Sequence, residues 1–207
     1  MMSSTSPTRP SLIFEVIQAT FSGSAKVLSV RAVRMKVGQT VFTRTPEPAH
    51  SIAIADCGEV IAGVVYLPML DRLYGAALGH GTTLNGQPIR VSAASAERGA
   101  QVLATKPNVQ DRHWPGGVPP FTRVYRPSLA YRLALVAEGR FDGMVTFRDT
   151  WEWDVAAGSI LVREAGGAVT DGAGDSLWFN GTVPKTNGVM AAGGVLHGAL
   201  LKRRLGH

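Results

Sequence analysis

One carboxylate, Asp154, stands at the start of a predicted apolar helix, in the run Trp151-Glu152-Trp153-Asp154. A helix N-terminus carries unpaired backbone N–H groups and a partial positive charge, so it binds phosphate well. A carboxylate at that point can also bind a hard divalent cation through its oxygens. Aspartate is equally a favoured N-cap residue, so both interpretations of Asp154, cap and ligand, stay open at this point.

The stretch that begins at Trp153 reads W-D-V-A-A-G-x-x-L-V-x-E-A-G-G-x-V-T-D. It resembles the C-terminal signature of the inositol monophosphatase family, which contains Mg²⁺-dependent phosphatases that include 3′(2′),5′-bisphosphate nucleotidases. Residues 63–92 and 128–142 resemble two further blocks of the same family, in the expected order. The resemblance covers residues 48–207 and implies an α/β fold with α+β layers. This is the inositol monophosphatase-like sandwich, truncated at its N-terminus.

The resemblance also implies site residues. Asp154 matches the family aspartate that binds metal, which makes it the expected Mg²⁺ ligand. Ser128, Leu129 and Ala130 match a Gly-Ser-Ala segment that contacts substrate at a helix start. Arg132 falls where nucleotidase-like members often carry lysine, so it is expected to meet a second phosphate. The alternative for Arg132 is an exposed helix charge.

The other metal ligands of the family have no counterpart in this sequence. In the family they come from an upstream acid and from an Asp-Pro-Ile-Asp-Gly-Thr loop. That loop should fall at residues 33–38, where the sequence reads V-R-M-K-V-G, without any acid. Arg34 and Lys36 would repel a divalent ion. With one metal carboxylate and no assigned catalytic residue, we expect hydrolysis to be very slow or absent.

The implied function is the Mg²⁺-dependent hydrolysis of a small phosphomonoester, either a 3′(2′),5′-bisphosphate nucleotide or an inositol phosphate. The alternative is a non-catalytic remnant that binds a phosphorylated ligand or a partner subunit. Two origins of residues 1–47 stay open, a shifted reading frame or mis-assigned start and a metal-poor paralogue. The abrupt onset of the resemblance near residue 48 favours the first.

The amino-acid composition limits the classes of partner that we expect this chain to bind. The chain has 207 residues, 45% hydrophobic content and a net charge of +6. Most of the positive excess lies in residues 1–50, and no basic stripe carries interleaved aromatics, so a nucleic acid polymer is not expected. No apolar run reaches the roughly 18 residues that span a membrane. A single cysteine, Cys57, is typical of a reducing cytoplasm. A homodimer stays open.

The pattern of turns and apolar residues divides the chain into a divergent, poorly ordered segment at 1–47 and a domain at 48–207. Strands are predicted at 51–55, 60–66, 73–77, 101–105, 141–145, 168–170 and 189–192. Helices are predicted at 128–138, 154–165 and 195–205. Trp151 and Trp153 are expected to pack, with stacking on a ligand ring as the alternative. His80, between two glycines, is expected to be a surface turn residue.

Overall fold

The computed structural model describes the backbone of residues 39–44 and all atoms of residues 49–207. Residues 39–44 form a strand, and this strand lies in the segment 1–47 that is predicted to be divergent. The rest of that segment, including the basic stretch 33–38, lies outside the described residues.

Within the described residues, the first sheet is antiparallel and follows chain order. Its strands are β1 (Gln39–Arg44), β2 (His50–Asp56), β3 (Glu59–Leu67), β4 (Arg72–Ala77), β5 (Thr82–Leu84) and β6 (Gln87–Ile89). Two tight turns set the register next to them, between β2 and β3 and between β5 and β6, because both residues of each turn have positive φ, as in type I′ hairpins. Cys57 and Gly58 have φ values of 49° and 82°, and Asn85 and Gly86 have values of 49° and 81°. The predicted meander of three strands over residues 51–77 is confirmed.

The second described sheet is mixed, in the order β11-β13-β9-β7-β8, with β7 parallel to both of its neighbours. The remaining strands are β7 (Gln101–Leu103), β8 (Thr122–Val124), β9 (Gly143–Thr146), β10 (Thr150–Trp151), β11 (Gly167–Thr170), β12 (Lys185–Thr186) and β13 (Val189–Gly193). Strands β10 and β12 form a separate two-residue pair.

The described α-helices are α1 (Leu129–Ala137), α2 (Glu152–Glu164) and α3 (Gly194–Leu205). All three α-helices were predicted, with ends that differ by at most two residues. No helix in the described part of the chain is long and apolar enough to cross a membrane.

Helices α1 and α2 form a layer between the two sheets. One buried cluster joins Val65 of β3, Leu133 of α1, Ile160 of α2 and Met144 of β9. The next residue of β9, Val145, points to the opposite face, where a second cluster includes α3. This alternation of burial follows from the two-residue period of a strand. The second sheet is therefore covered by helices on both faces.

Two glycines allow α2 to lie close to its neighbours. A Cβ at Gly63 of β3 would lie 2.7 Å from Cγ2 of Ile160 and 2.9 Å from the carbonyl oxygen of Ala157. A Cβ at Gly158 of α2 would lie 2.5 Å from Cβ of Leu133. Any larger side chain at either glycine would push α2 away from β3 or from α1.

Candidate functional site

Asp154 does not occupy the N-cap position that one of the two sequence interpretations gives it. The helix begins at Glu152 with Trp151 as its N-cap, so Asp154 is the third helical residue. The N-cap interpretation of Asp154 is therefore wrong. The cause is non-local: Trp151 pairs with Lys185, and the Glu152 N–H donates to the carbonyl of Pro184 at 3.0 Å. These contacts fix the helix start two residues before Asp154.

Asp154 is half-buried and shares the first helical turn with Glu152. Two acids in this turn interact favourably with the positive end of the helix dipole. The carboxylate of Glu152 is buried, and its two oxygens accept N–H bonds from Asn180 at 2.9 Å and from Gly181 at 3.3 Å. Glu152 therefore fixes the loop that leads to β12.

Sequence reasoning missed the role of Glu152. Its partners lie 28 and 29 residues further along the chain, and no local pattern predicts them. The acid between two tryptophans is the sequence signal that could have predicted a bonded carboxylate. An acid in apolar surroundings is buried only when its oxygens accept hydrogen bonds.

A metal pair needs several converging carboxylates. Across residues 49–207, no three His, Cys, Asp or Glu side chains form a group that could hold a metal ion. Several acids are engaged elsewhere: Glu59 with Arg163, Glu97 with Arg203 and Glu138 with Arg72. The described residues therefore do not fit a two-metal centre. One carboxylate can contribute to a single Mg²⁺ that shares a ligand phosphate and keeps several waters.

The predicted substrate segment lies at the start of α1. Ser128 is the N-cap of α1, and its Oγ accepts the N–H of Tyr131 at 3.4 Å. Leu129 and Ala130 are buried. Helices α1 and α2 are in contact at Leu133 and Gly158. The predicted substrate segment and the predicted metal ligand Asp154 therefore lie at the starts of adjacent helices.

Arg132 is buried, with 5% of its surface exposed, so the alternative of an exposed helix charge is wrong. Helix α1 is surrounded by the protein on most sides, and Arg132 folds back over the preceding loop. Its Nε donates to the carbonyl of Arg126, and its guanidinium lies 5.0 Å from the ring centre of Tyr125. Burial lowers the pKa of Arg132, and the positive charge of Arg148 acts in the same direction. An anion near Arg132 would offset both effects.

Two aromatic rings flank the buried Glu152. The indoles of Trp151 and Trp153 are stacked, with ring centres 4.6 Å apart and planes 10° apart. The ammonium of Lys185 lies 4.6 Å from the ring centre of Trp151. The rings were expected to pack, and they do so against each other and against Lys185.

The Gly79-His80-Gly81 turn is held by the far end of α2. The backbone N–H groups of Gly79 and Gly81 donate to the two carboxylate oxygens of Glu164, at 3.0 and 2.9 Å. His80 is exposed, as predicted for a turn residue.

Comparison with known proteins agrees with the fold and with the signature around Asp154. The family model described as the inositol monophosphatase family matches residues 38–206. An inositol-1-monophosphatase of Rhizobium meliloti is 40% identical over 139 residues, which are 62% of this chain and 51% of that protein. A fructose-1,6-bisphosphatase/inositol-1-monophosphatase of Aquifex aeolicus is 36% identical over 130 residues, 59% of this chain and 49% of that protein.

Among solved structures, the extragenic suppressor protein suhB of Bartonella henselae aligns with a TM-score of 0.65 and 30% identity. The alignment covers 76% of this chain and 63% of that one. The chain spans about half the length of the curated relatives it matches. With the layered fold and the matched segment around Asp154, these findings show that the chain belongs to the inositol monophosphatase family.

Proposed function

We propose that this chain binds a small phosphomonoester at the start of α2, with Asp154 as the acidic group of the site. The ligand is an inositol phosphate or a 3′(2′),5′-bisphosphate nucleotide. The single observation that carries the proposal is the position of Asp154, half-buried in the first turn of α2 inside the segment that matches the family.

The chemistry of this turn suits a phosphate. Backbone N–H groups and the helix dipole attract the anion. A Mg²⁺ ion, when bound, would neutralise phosphate charge, and Asp154 is the described residue that would help to hold it. The names of the two relatives, an inositol-1-monophosphatase and a fructose-1,6-bisphosphatase/inositol-1-monophosphatase, support a small phosphorylated polyol or a similar ligand.

Turnover should be slow. A pair of metal ions activates water and stabilises the leaving oxygen, and the described residues supply one carboxylate for that task. We therefore expect the purified chain to hydrolyse inositol 1-phosphate or 3′-phosphoadenosine 5′-phosphate well below about 1 s⁻¹ in the presence of Mg²⁺. Turnover at or above that rate would overturn this part of the proposal.

A non-catalytic binding role is the second candidate. The observation in its favour is that Glu152 and Glu164, the acids at the two ends of α2, both hold backbone N–H groups of loops. Both carboxylates therefore have a structural task in holding loops. The same site would then bind the phosphorylated ligand without turning it over.

Ser128, Leu129, Ala130 and Arg132 complete the proposed site on α1. Arg132 donates through Nε to Arg126, so a second phosphate would be bound by the two Nη groups. Arg132→Met should weaken binding of a bisphosphate more than binding of the corresponding monophosphate, because only the bisphosphate brings the second anion. Equal losses for both ligands would remove Arg132 from the site.

The test of Asp154 is titration calorimetry of inositol 1-phosphate with and without Mg²⁺. Asp154→Asn should remove most of the gain in affinity that Mg²⁺ provides, about tenfold or more, since the amide carries no charge for the cation. The control is Asp111→Asn, because Asp111 also begins a helix, the 3-10 helix Asp111–His113, but is exposed and far from α2 in sequence. Equal Mg²⁺ dependence in the parent and in Asp154→Asn would contradict the proposal.

A further inference from the structure

Two indole rings lie stacked at the start of α2, and core packing does not account for them. Trp151 is 41% exposed, and the two buried apolar clusters of the described residues include neither Trp151 nor Trp153. The rings are nearly parallel, with centres 4.6 Å apart. A large aromatic side chain kept at the surface by a second one is an arrangement that suits contact with another flat ring.

Helix geometry places this ring beside the proposed phosphate site. Trp151 is the N-cap of α2 and Asp154 is its third helical residue. Side chains at the N-cap and at the third position are neighbours, as the capping box shows. An aromatic group attached to a phosphate at the start of α2 would therefore reach Trp151.

The stack is fixed in place before any ligand arrives. Trp153 covers one face of the Trp151 indole. The backbone of Trp151 is paired with Lys185 in the β10–β12 ladder, and the loop before β12 is held by the carboxylate of Glu152. A ring fixed in this way loses little conformational freedom on binding.

The second face of Trp151 carries a cation that is easily displaced. Because Trp153 occupies one face, the ammonium of Lys185, 4.6 Å from the ring centre, lies against the other. Lys185 is exposed, and no acid in residues 49–207 forms an ion pair with it. An exposed cation–π contact is weaker than the stacking of a nucleobase on an indole. A base can therefore replace the ammonium, which is then free to meet the phosphate of the same ligand.

We propose that Trp151 is the stacking platform for the base of a nucleoside phosphate whose phosphate group lies at the start of α2. This inference rests on the proposed function and narrows its ligand from small phosphomonoesters to nucleotides. An inositol phosphate has no aromatic ring that could replace the Lys185 ammonium on Trp151. It would therefore bind through its phosphate contacts alone.

The experiment measures binding of adenosine 3′,5′-bisphosphate, inositol 1-phosphate and inorganic phosphate to the full chain by calorimetry. The variants are Trp151→Ala and Trp151→Phe. The control is Trp178→Ala, because Trp178 is also exposed, at 67%, but packs beside Gly58. Trp151→Ala should bind the nucleotide about tenfold more weakly, and Trp151→Phe should lie between it and the parent. Trp178→Ala should match the parent, and all variants should bind inositol 1-phosphate equally.

Tryptophan fluorescence gives a second readout, which does not depend on the alanine variant being folded. The nucleotide should quench the parent and Trp178→Ala, whereas inositol 1-phosphate should quench neither. Trp151 makes no side-chain cap bond, so its replacement should leave α2 intact, and melting temperatures check this. Nucleotide affinity that is unchanged in Trp151→Ala, or affinities for nucleotide and inositol phosphate that fall together, would overturn the platform alone. A parent that binds none of the three ligands would overturn the proposed function as well.

Discussion

The first turn of α2 is partly exposed, whereas the turns that follow are enclosed by the rest of the fold. Trp151 is exposed and Asp154 is half-buried, but every residue from Val155 to Val162 is buried. The enclosed part contacts β3 through Gly63 and α1 through Gly158. One helix thus combines a partly exposed first turn with a body that holds the layers together.

The two ends of α2 are alike in a different respect. Glu152 at the start and Glu164 at the end each accept two backbone N–H bonds from a distant loop. Glu152 is buried and Glu164 is half-buried. The comparison teaches that charge alone does not mark a site residue. Of the three acids of α2, Glu152 and Glu164 bind loops, and we propose Asp154 for the ligand because it matches the family aspartate.

The largest effect on stability is expected in the body of α2. Gly158→Ala should lower the free energy of unfolding by about 1–3 kcal/mol, because the new Cβ would lie 2.5 Å from Cβ of Leu133. Gly198→Ala is the matched control, since Gly198 is also helical and a Cβ added there would meet no atom within 4 Å. That control should gain about 0.5–1 kcal/mol from helix propensity. Urea denaturation of both variants measures the difference. Changes of the same sign in the free energy of unfolding would contradict the close packing of α1 and α2.

The second largest effect on stability is expected at the two glutamates that lie at the ends of α2. Glu152→Gln should cost about 1–3 kcal/mol, because a buried carboxylate with two N–H donors becomes a neutral amide. Glu164→Gln should cost less, about 1 kcal/mol, because water reaches that carboxylate. Thermal melts of both variants test the order. A larger loss in Glu164→Gln would mean that the loop at Gly79 matters more to the fold than the loop at Asn180.

A smaller effect on stability is expected for Asp154→Asn, at most about 1 kcal/mol, from the lost interaction with the helix dipole. The same variant should lose most of its Mg²⁺-dependent ligand affinity. Melting and calorimetry on one preparation measure both quantities. A large loss of stability with unchanged binding would reverse the assignment and place Asp154 among the structural acids of α2.

The smallest expected effect is the pH dependence of stability that His197 of α3 contributes. Burial lowers the pKa of His197 below its ordinary value of 6.5, and its ring nitrogen lies 3.1 Å from Oγ1 of Thr170. The unfolded chain therefore takes up the proton first as the pH falls, so stability should decrease as the pH falls below about 6.5. Burial also lowers the pKa of His113, which acts in the same direction. His197→Gln should show a flatter melting temperature between about pH 7.5 and pH 5.5, and an equally steep profile would exclude His197 as a source.

Local sequence predicted the hairpins well, because their geometry depends on the turn residues themselves. Cys57-Gly58 and Asn85-Gly86 adopt the positive φ that a two-residue hairpin needs. The helix ends were less predictable. The start of α2 is fixed by the pairing of Trp151 with Lys185, which lies 34 residues away in the printed sequence. Strand β8 was missed for a similar reason, since three residues between proline-rich loops become a strand only by pairing with β7.

The candidate site was predictable only in part. The signature around Asp154 identified the helix and the acid, but the engagement of Glu152 depends on Asn180 and Gly181, which tertiary structure brings to it. The burial of Arg132 has the same origin, because its partner groups lie in the loop before α1. Sequence spacing describes neighbours along a helix and leaves the contacts between elements undetermined.

The tight turn between β2 and β3 has a practical consequence. Cys57, the one cysteine of the sequence, is exposed at this turn, and the indole of Trp178 packs beside the adjacent Gly58. A maleimide dye would therefore attach at one defined point with a stoichiometry of one per chain. The part of the energy transfer to that dye that Trp178→Ala removes would report on the docking of the loop before β12. The start of α2 would stay chemically untouched during such a measurement.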